Sequence, residues 1–123
     1  MFYNREKHYT SSGYYLDKVY LLTVYFVMAI QSFNDRIARD YFVSGKLKKG
    51  VGWTSIANVV KRKLDIIHYA VELDDLKAPP ANRLEMLKGD LKGFYSIRIN
   101  DQWRIVFKWL DSGPYEVRIT DYH

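Results

Sequence analysis

The run FYSIRINDQWRIVFKWLDSGPYEVRITDYH, residues 94–123, constrains the chain more than any other part. It holds three segments rich in β-branched and aromatic residues, each alternating apolar and polar positions, so it predicts strands over 94–100, 103–109 and 115–122. Side chains alternate across a strand. One face therefore collects Tyr95, Ile97, Ile99, then Trp103, Ile105, Phe107, Trp109, then Tyr115, Val117 and Ile119, and is the core face. The other collects Ser96, Arg98, Arg104, Val106, Lys108, Glu116, Arg118, Thr120 and Tyr122.

Face matching sets the register. A two-residue loop after Asn100 would set opposite faces against each other, which a sheet with one buried face forbids. A three-residue loop, Asn100-Asp101-Gln102, pairs Ile99 with Trp103 and Arg98 with Arg104. A five-residue loop, LDSGP, pairs Trp109 with Tyr115, sets Lys108 beside Glu116 and Arg104 beside Thr120, and leaves Tyr122 diagonal to Arg104. Directly opposed like charges cost about 0.2–1 kcal/mol unless something compensates. A bound phosphate would compensate both guanidiniums through their planar forks of donors. The alternative is that one arginine turns to solvent or pairs with Asp121 or Glu116.

Upstream, residues 29–33 suggest a short first strand. Asn34 is a candidate cap for a helix with Ile37, Ala38, Tyr41 and Phe42 on its apolar side. SGKLKKGVG, residues 44–52, breaks that helix. It lacks the Gly-Lys-Ser/Thr ending of a phosphate-binding P-loop and is not read as one. Thr54 or Ser55 would cap a longer helix in which Ile56, Val59, Val60, Leu64, Ile67 and Val71 recur at helical spacing. Lys61-Arg62-Lys63 falls mostly on its outer side, a solvated face or an RNA or partner contact, and His68 falls on its polar side. The prolines of LKAPPANRL, residues 76–84, make a loop.

The 123 residues suggest one domain, and the absence of cysteine excludes disulfides, thiolate zinc sites and a cysteine nucleophile. The net charge of +5 favours anionic partners, and the part from Met28 onward holds most of it, 16 basic against 12 acidic residues. Residues 1–27 differ in character, carrying six of the eleven tyrosines. They read as an extension, with the domain proper over 28–123 starting at MAIQSF. The apolar run VYLLTVYFVMAI is shorter than the roughly 20 residues a spanning helix needs. Arg5 and Lys7 could start a signal peptide, but no small-x-small cleavage site follows.

The string NRLEMLKGDLKGFYSIRINDQWRIVFKW, with the closing DYH, resembles the RelE-like toxin superfamily, its HigB or plasmid-maintenance killer branch, from about Met28 to His123. The resemblance implies an α+β fold, a compact domain with an antiparallel sheet and two N-terminal helices packed on one face. It implies a cytoplasmic, ribosome-dependent endoribonuclease that cleaves mRNA and is silenced by a helix-turn-helix antitoxin, without metal or other cofactor and without stable membrane association. Carried over by position, the active-site arginine is Arg104, a basic motif position is Lys88, and the closing triad is Asp121, Tyr122 and His123. Arg83, Lys92, Arg98, Lys108 and Arg118 are candidate RNA or phosphate contacts. Some members carry a histidine where this chain has Glu85, which is then either a carboxylate in place of the imidazole or an exposed bystander. His8 lies outside the resemblance.

Metal-independent RNA cleavage uses the substrate 2′-OH as nucleophile. It needs a base near that hydroxyl, cations around the phosphorus and an acid for the 5′-oxygen. His123, with an ordinary pKa near 6.5, suits proton transfer. Arg104 suits charge stabilisation, helped by Arg98 and Lys88; Tyr122 suits stacking or proton donation; Asp121 suits holding His123 or Arg104. Two other classes fit part of the pattern. One is a non-catalytic RNA-binding module using the basic sheet face. The other is a membrane-surface protein using the apolar run and the lysine-rich loop.

Overall fold

The computed structural model describes residues 29–122. The expected extension at 1–27, with His8 in it, as well as Met28 and the terminal His123, lies outside the described residues. Helix α1 is Arg36–Ser44 and helix α2 is Ala57–Tyr69. Strands β1 (Glu85–Met86), β2 (Tyr95–Arg98), β3 (Trp103–Leu110) and β4 (Gly113–Asp121) form one antiparallel sheet in the order β1-β2-β3-β4. Short 3-10 turns at Thr54–Ile56, Leu73–Lys77, Pro80–Asn82 and Gly89–Leu91 join these elements. Among the described residues no helix is long and apolar enough to cross a membrane.

Alternation explains the core. Ile97, Ile105, Phe107 and Val117 leave one face of the sheet with no exposure at all, and they share one cluster with Val60, Leu64 and Ile67 of α2, Tyr41 of α1, Trp53 and Leu76. Full burial of such side chains contributes about 1.5–3 kcal/mol each relative to exposure. The register holds at the central turn, where Arg98 faces Arg104 and Ile97 faces Ile105. Asn100 shapes that turn by accepting hydrogen bonds from the amides of Gln102 (2.9 Å) and Trp103 (2.8 Å).

The second hairpin departs from expectation. Arg104 faces Thr120 and Val106 faces Arg118, but Lys108 faces Tyr115 and Trp109 faces Pro114. Phe107 alone thus opposes two residues, Glu116 and Val117, which is a β-bulge. Glu116 absorbs it in the left-handed region, at φ 53°. The turn after Leu110 is correspondingly tighter than five residues, and Tyr115 moves to the polar face with Lys108.

The expected first strand is also different. Only one parallel bridge, Phe33 to Val117, forms. Residues 31–35 run along the outer edge of β4 with amide bonds from Gln31 to Pro114 O (2.8 Å), Val117 to Ser32 O (3.0 Å) and Asn34 to Val117 O (2.9 Å). The α1 cap is Asp35, not Asn34. Its carboxylate accepts from the Ala38 amide and, across the fold, from the Ile119 amide, both at 3.0 Å. Asn34 instead donates to Glu116 at 3.0 Å. Neither Thr54 nor Ser55 caps α2, which continues from the 3-10 turn Thr54–Ile56.

Gly45 ends α1 in the left-handed region at φ 78°, its amide bonded to Tyr41 O at 2.8 Å. At Gly52 a β-carbon would stand 2.9 Å from the Trp103 ring. Two of the three glycines of the lysine-rich loop therefore serve a helix end and a close approach. Helix α2 stops at Tyr69, leaving Val71 exposed. His68 is half-buried rather than on a polar side. Its ring lies 5.1 Å from that of Phe42 and 4.9 Å from that of Tyr69, and its Nδ1 accepts from the Ile30 amide at 3.2 Å.

Candidate active site

The polar face of the sheet is organised around Arg104. This arginine is the second residue of β3, the strand that lies between β2 and β4, and it is only 6% exposed, the sole buried charged side chain among the described residues. Nε donates to Ser96 Oγ at 2.7 Å and Nη2 to the Arg83 carbonyl at 2.6 Å, with a longer 3.4 Å contact to Ser96 O. Glu85 Oε1 lies 3.7 Å from Nη2. The Tyr122 ring centre is 5.5 Å from the guanidinium carbon, a cation–π distance. Burial lowers the Arg104 pKa; Glu85 and Tyr122 pull it back up, and Arg98 and Arg83 add to the lowering. An arginine starts so high that it stays charged.

Each partner arrives by local logic. Ser96 sits two residues before Arg98 on the same face of β2, and Glu85 of β1 stands directly across from Ser96. Arg83 follows the 3-10 turn Pro80–Asn82 in the left-handed conformation, φ 45°. Tyr122 is anchored at the chain end by its amide, which donates to Gln102 O at 2.7 Å.

Arg98 faces Arg104 across the strands, as the register requires. It forms an ion pair with Asp101 of the turn. The opposed charges are thus compensated within the chain: Arg98 by Asp101, Arg104 by Glu85 and neutral acceptors. Glu116, offered as an alternative partner for these arginines, pairs with Lys108 and accepts from Asn34 instead. Asp121 is exposed, stands opposite Trp103 and accepts from Gln102 Nε2 at 3.0 Å.

The remaining candidates lie apart. Lys88 and Lys92 are exposed on either side of the turn Gly89–Leu91, and no hydrogen bond or ion pair joins them to the Arg104 cluster among the described residues. Lys108 and Arg118 gather instead over the Phe94 ring, at 5.0 and 5.6 Å from its centre. Lys108 also pairs with Glu116 at 3.2 Å. Hydrogen bonds from Asn34 and Lys108 hold the Glu116 carboxyl below its usual range. His123 lies outside the described residues.

Two residues at the site were not singled out from the sequence, and a third, Lys63, was placed on the outer side of its helix. Ser96 had a signal, since it shares the polar face with Arg98 and Arg104. The Asn82–Lys63 contact had none, because it joins residues 19 apart in the chain. Asn82 is fully buried, and Lys63 of α2 turns inward to it with Nζ–Oδ1 at 2.6 Å rather than standing on the outer side.

An α+β domain with two helices and a four-stranded antiparallel sheet agrees with the fold class that the RelE-like resemblance implies. Residues 31–123 match the family model described as RelE-like toxin of type II toxin-antitoxin system HigB. Toxin HigB-1 of Vibrio cholerae is 40% identical over 84 residues, covering 68% of this chain and 86% of that one. Endoribonuclease HigB of Proteus vulgaris is 31% identical over 94 residues, covering 76% of this chain and 99% of that one. Among solved structures, the YoeB-YefM complex from Staphylococcus aureus is 21% identical over 78% of this chain and 97% of its own, with a TM-score of 0.47. The chain belongs to the HigB-like family of RelE-like toxins.

Proposed function

We propose that the protein is a ribosome-dependent endoribonuclease that cleaves mRNA in the cytoplasm, inhibits translation and growth, and is held inactive by a helix-turn-helix antitoxin. Arg104 carries the reading: a cation kept in a low-dielectric niche stabilises developing negative charge more than a solvated one does. Family membership and the name of the Proteus vulgaris relative support the reaction class.

In this reading the substrate 2′-OH attacks the adjacent phosphorus and expels the 5′-oxygen, leaving a cyclic phosphate. Arg104 stabilises the charge that builds on the non-bridging oxygens, with Arg98 and Lys88 as further cations. Tyr122, at the rim of the guanidinium, stacks on or donates to the scissile nucleotide. His123 transfers protons, Asp121 orients the chain end, and Glu85 is a second candidate base. Arg83, Lys92, Lys108 and Arg118 contact RNA phosphates. Residues 1–27 are an extension outside the catalytic domain.

The gathering of Lys108 and Arg118 on Phe94, away from Arg104, favours a second reading, a non-catalytic RNA-binding module. One experiment separates the two. The intact chain is induced in bacteria and new mRNA 5′ ends are mapped, alongside a variant lacking His123. Cleavage within messages, lost with His123, supports the nuclease with a catalytic terminus. Growth arrest without new ends supports the binding module.

A further inference from the structure

A guanidinium has five N–H donors in a fixed plane. In Arg104, Nε is taken by Ser96 and Nη2 is engaged by the Arg83 carbonyl and Glu85, while Nη1 meets no acceptor among the described residues. The fork is therefore held along one edge, while its other edge carries donors with no protein acceptor among the described residues.

The holding edge depends on an unusual backbone. Arg83 stands at φ 45°, a conformation that residues with a β-carbon adopt rarely and keep only where surrounding structure imposes it. The residue before it, Asn82, is itself firmly held. With no exposure, it donates from Nδ2 to the carbonyls of Leu76 and Ala78, both at 3.1 Å, and accepts from Lys63 Nζ at 2.6 Å. Lys63 reaches across from α2 and has no carboxylate partner among the described residues. A lysine partly withdrawn from water onto a neutral amide loses hydration that no carboxylate restores.

We propose that Ser96, Asn82 and Lys63 form a socket that fixes the Arg104 guanidinium and presents Nη1 to a phosphodiester. They are positioning residues: Ser96 acts directly, and Asn82 with Lys63 acts through the Arg83 carbonyl. The inference rests on Arg104 being the charge-stabilising group of the nuclease. Small misplacement of such a group costs up to about 100-fold in rate, so the socket sets how fast bound RNA is cleaved rather than how tightly it binds.

The test is a double-mutant cycle on the full chain, with single-turnover cleavage of mRNA on ribosomes and half-saturation measured separately. Ser96→Ala is expected to slow cleavage about 10-fold with half-saturation unchanged, and Ser96→Thr, which keeps the hydroxyl, to restore most of the rate. In an Arg104→Ala background, Ser96→Ala should cost nothing further, because the group it positions is gone. Lys63→Met runs through the same cycle and serves if Ser96→Ala does not fold. Wild-type rates in both Ser96→Ala and Lys63→Met, or equal losses with and without Arg104, overturn the socket while leaving the nuclease standing. Wild-type cleavage by Arg104→Ala overturns the role of Arg104, and the socket with it.

Discussion

The two ends of the polar sheet face place cations in opposite ways. At one end Arg104 is sunk, with short bonds to Ser96 and to a main-chain carbonyl. At the other, Lys108 and Arg118 lie partly exposed over Phe94, and Lys108 pairs with the similarly exposed Glu116. A fixed, desolvated cation discriminates a transition state from a ground state, because its dipoles need no reorganisation as charge develops. A mobile, solvated cation attracts any phosphate about equally and weakens as salt rises. Charge alone does not make a catalytic site; the neighbouring acceptors do.

The sharpest way to break that contrast is Arg104→Ala. Loss of a charge stabiliser at the reacting centre is expected to lower the cleavage rate about 100- to 1000-fold, read by single-turnover assay on a variant whose circular dichroism is unchanged. Arg104→Lys should recover little, since an ammonium cannot satisfy Ser96 and Arg83 while presenting a further donor edge. Full activity in the alanine variant would put the two ends on the same footing.

At the Phe94 end, Lys108→Ala with Arg118→Ala should leave the rate of bound substrate unchanged and weaken RNA binding. The logarithmic salt slope should fall by about one unit for each RNA phosphate that is no longer neutralised, measured by titration across ionic strengths. A rate defect with unchanged affinity would move catalysis toward this end.

Asp35→Ala should affect both ends alike, because β4 carries Arg118 and leads to Tyr122, and it depends on Asp35 at Ile119 as well as at the α1 cap. Removing an aspartate cap costs about 0.5–2 kcal/mol. The melting temperature should drop with the specific activity of the folded fraction preserved.

The smallest effect concerns acid. Burial lowers the His68 pKa, with Asp65 raising it and Lys61 lowering it further. Below the ordinary histidine value of about 6.5 the unfolded chain takes up a proton before the folded one, so stability falls as pH drops toward the depressed folded value and levels off below it. Protonation of Nδ1 also removes the acceptor for the Ile30 amide. Thermal melts from pH 7.5 to 5 should show this decline, and His68→Asn should flatten it.

Much of this fold was legible because alternation is a local signal. The faces of β2 and β3 and the Arg98–Arg104 pairing followed from period two and loop length; Lys108 and Glu116 do form an ion pair, but across a tighter turn and a bulge rather than through the five-residue loop expected. What escaped were departures from periodicity. The bulge at Glu116 inserts one residue with no composition cue, since a glutamate at φ 53° is unusual and no glycine marks the place. Strand β1 is two exposed residues, too short to alternate. At the site, Arg104, Tyr122 and Glu85 come together, and of the two ways offered to relieve the opposed arginines, the pairing within the chain is present, though with a different partner. Asp101 does that for Arg98, and a residue in the middle of a predicted turn gave no hint of it.

The path of residues 31–35 beside β4 has one more result, for how copies of the chain meet. A bare outermost strand is a template on which another molecule can add its own strand, and growth by that route ends in aggregates. Here the outer amides of Glu116, Val117 and Ile119 are already occupied, by Ser32 Oγ, Ser32 O and Asp35 Oδ2 at 2.9–3.0 Å. The bulge twists the same stretch out of line, and β1 at the opposite margin offers only two residues. Both borders of the sheet are therefore poor seeds for polymerisation, and the margins resist self-association.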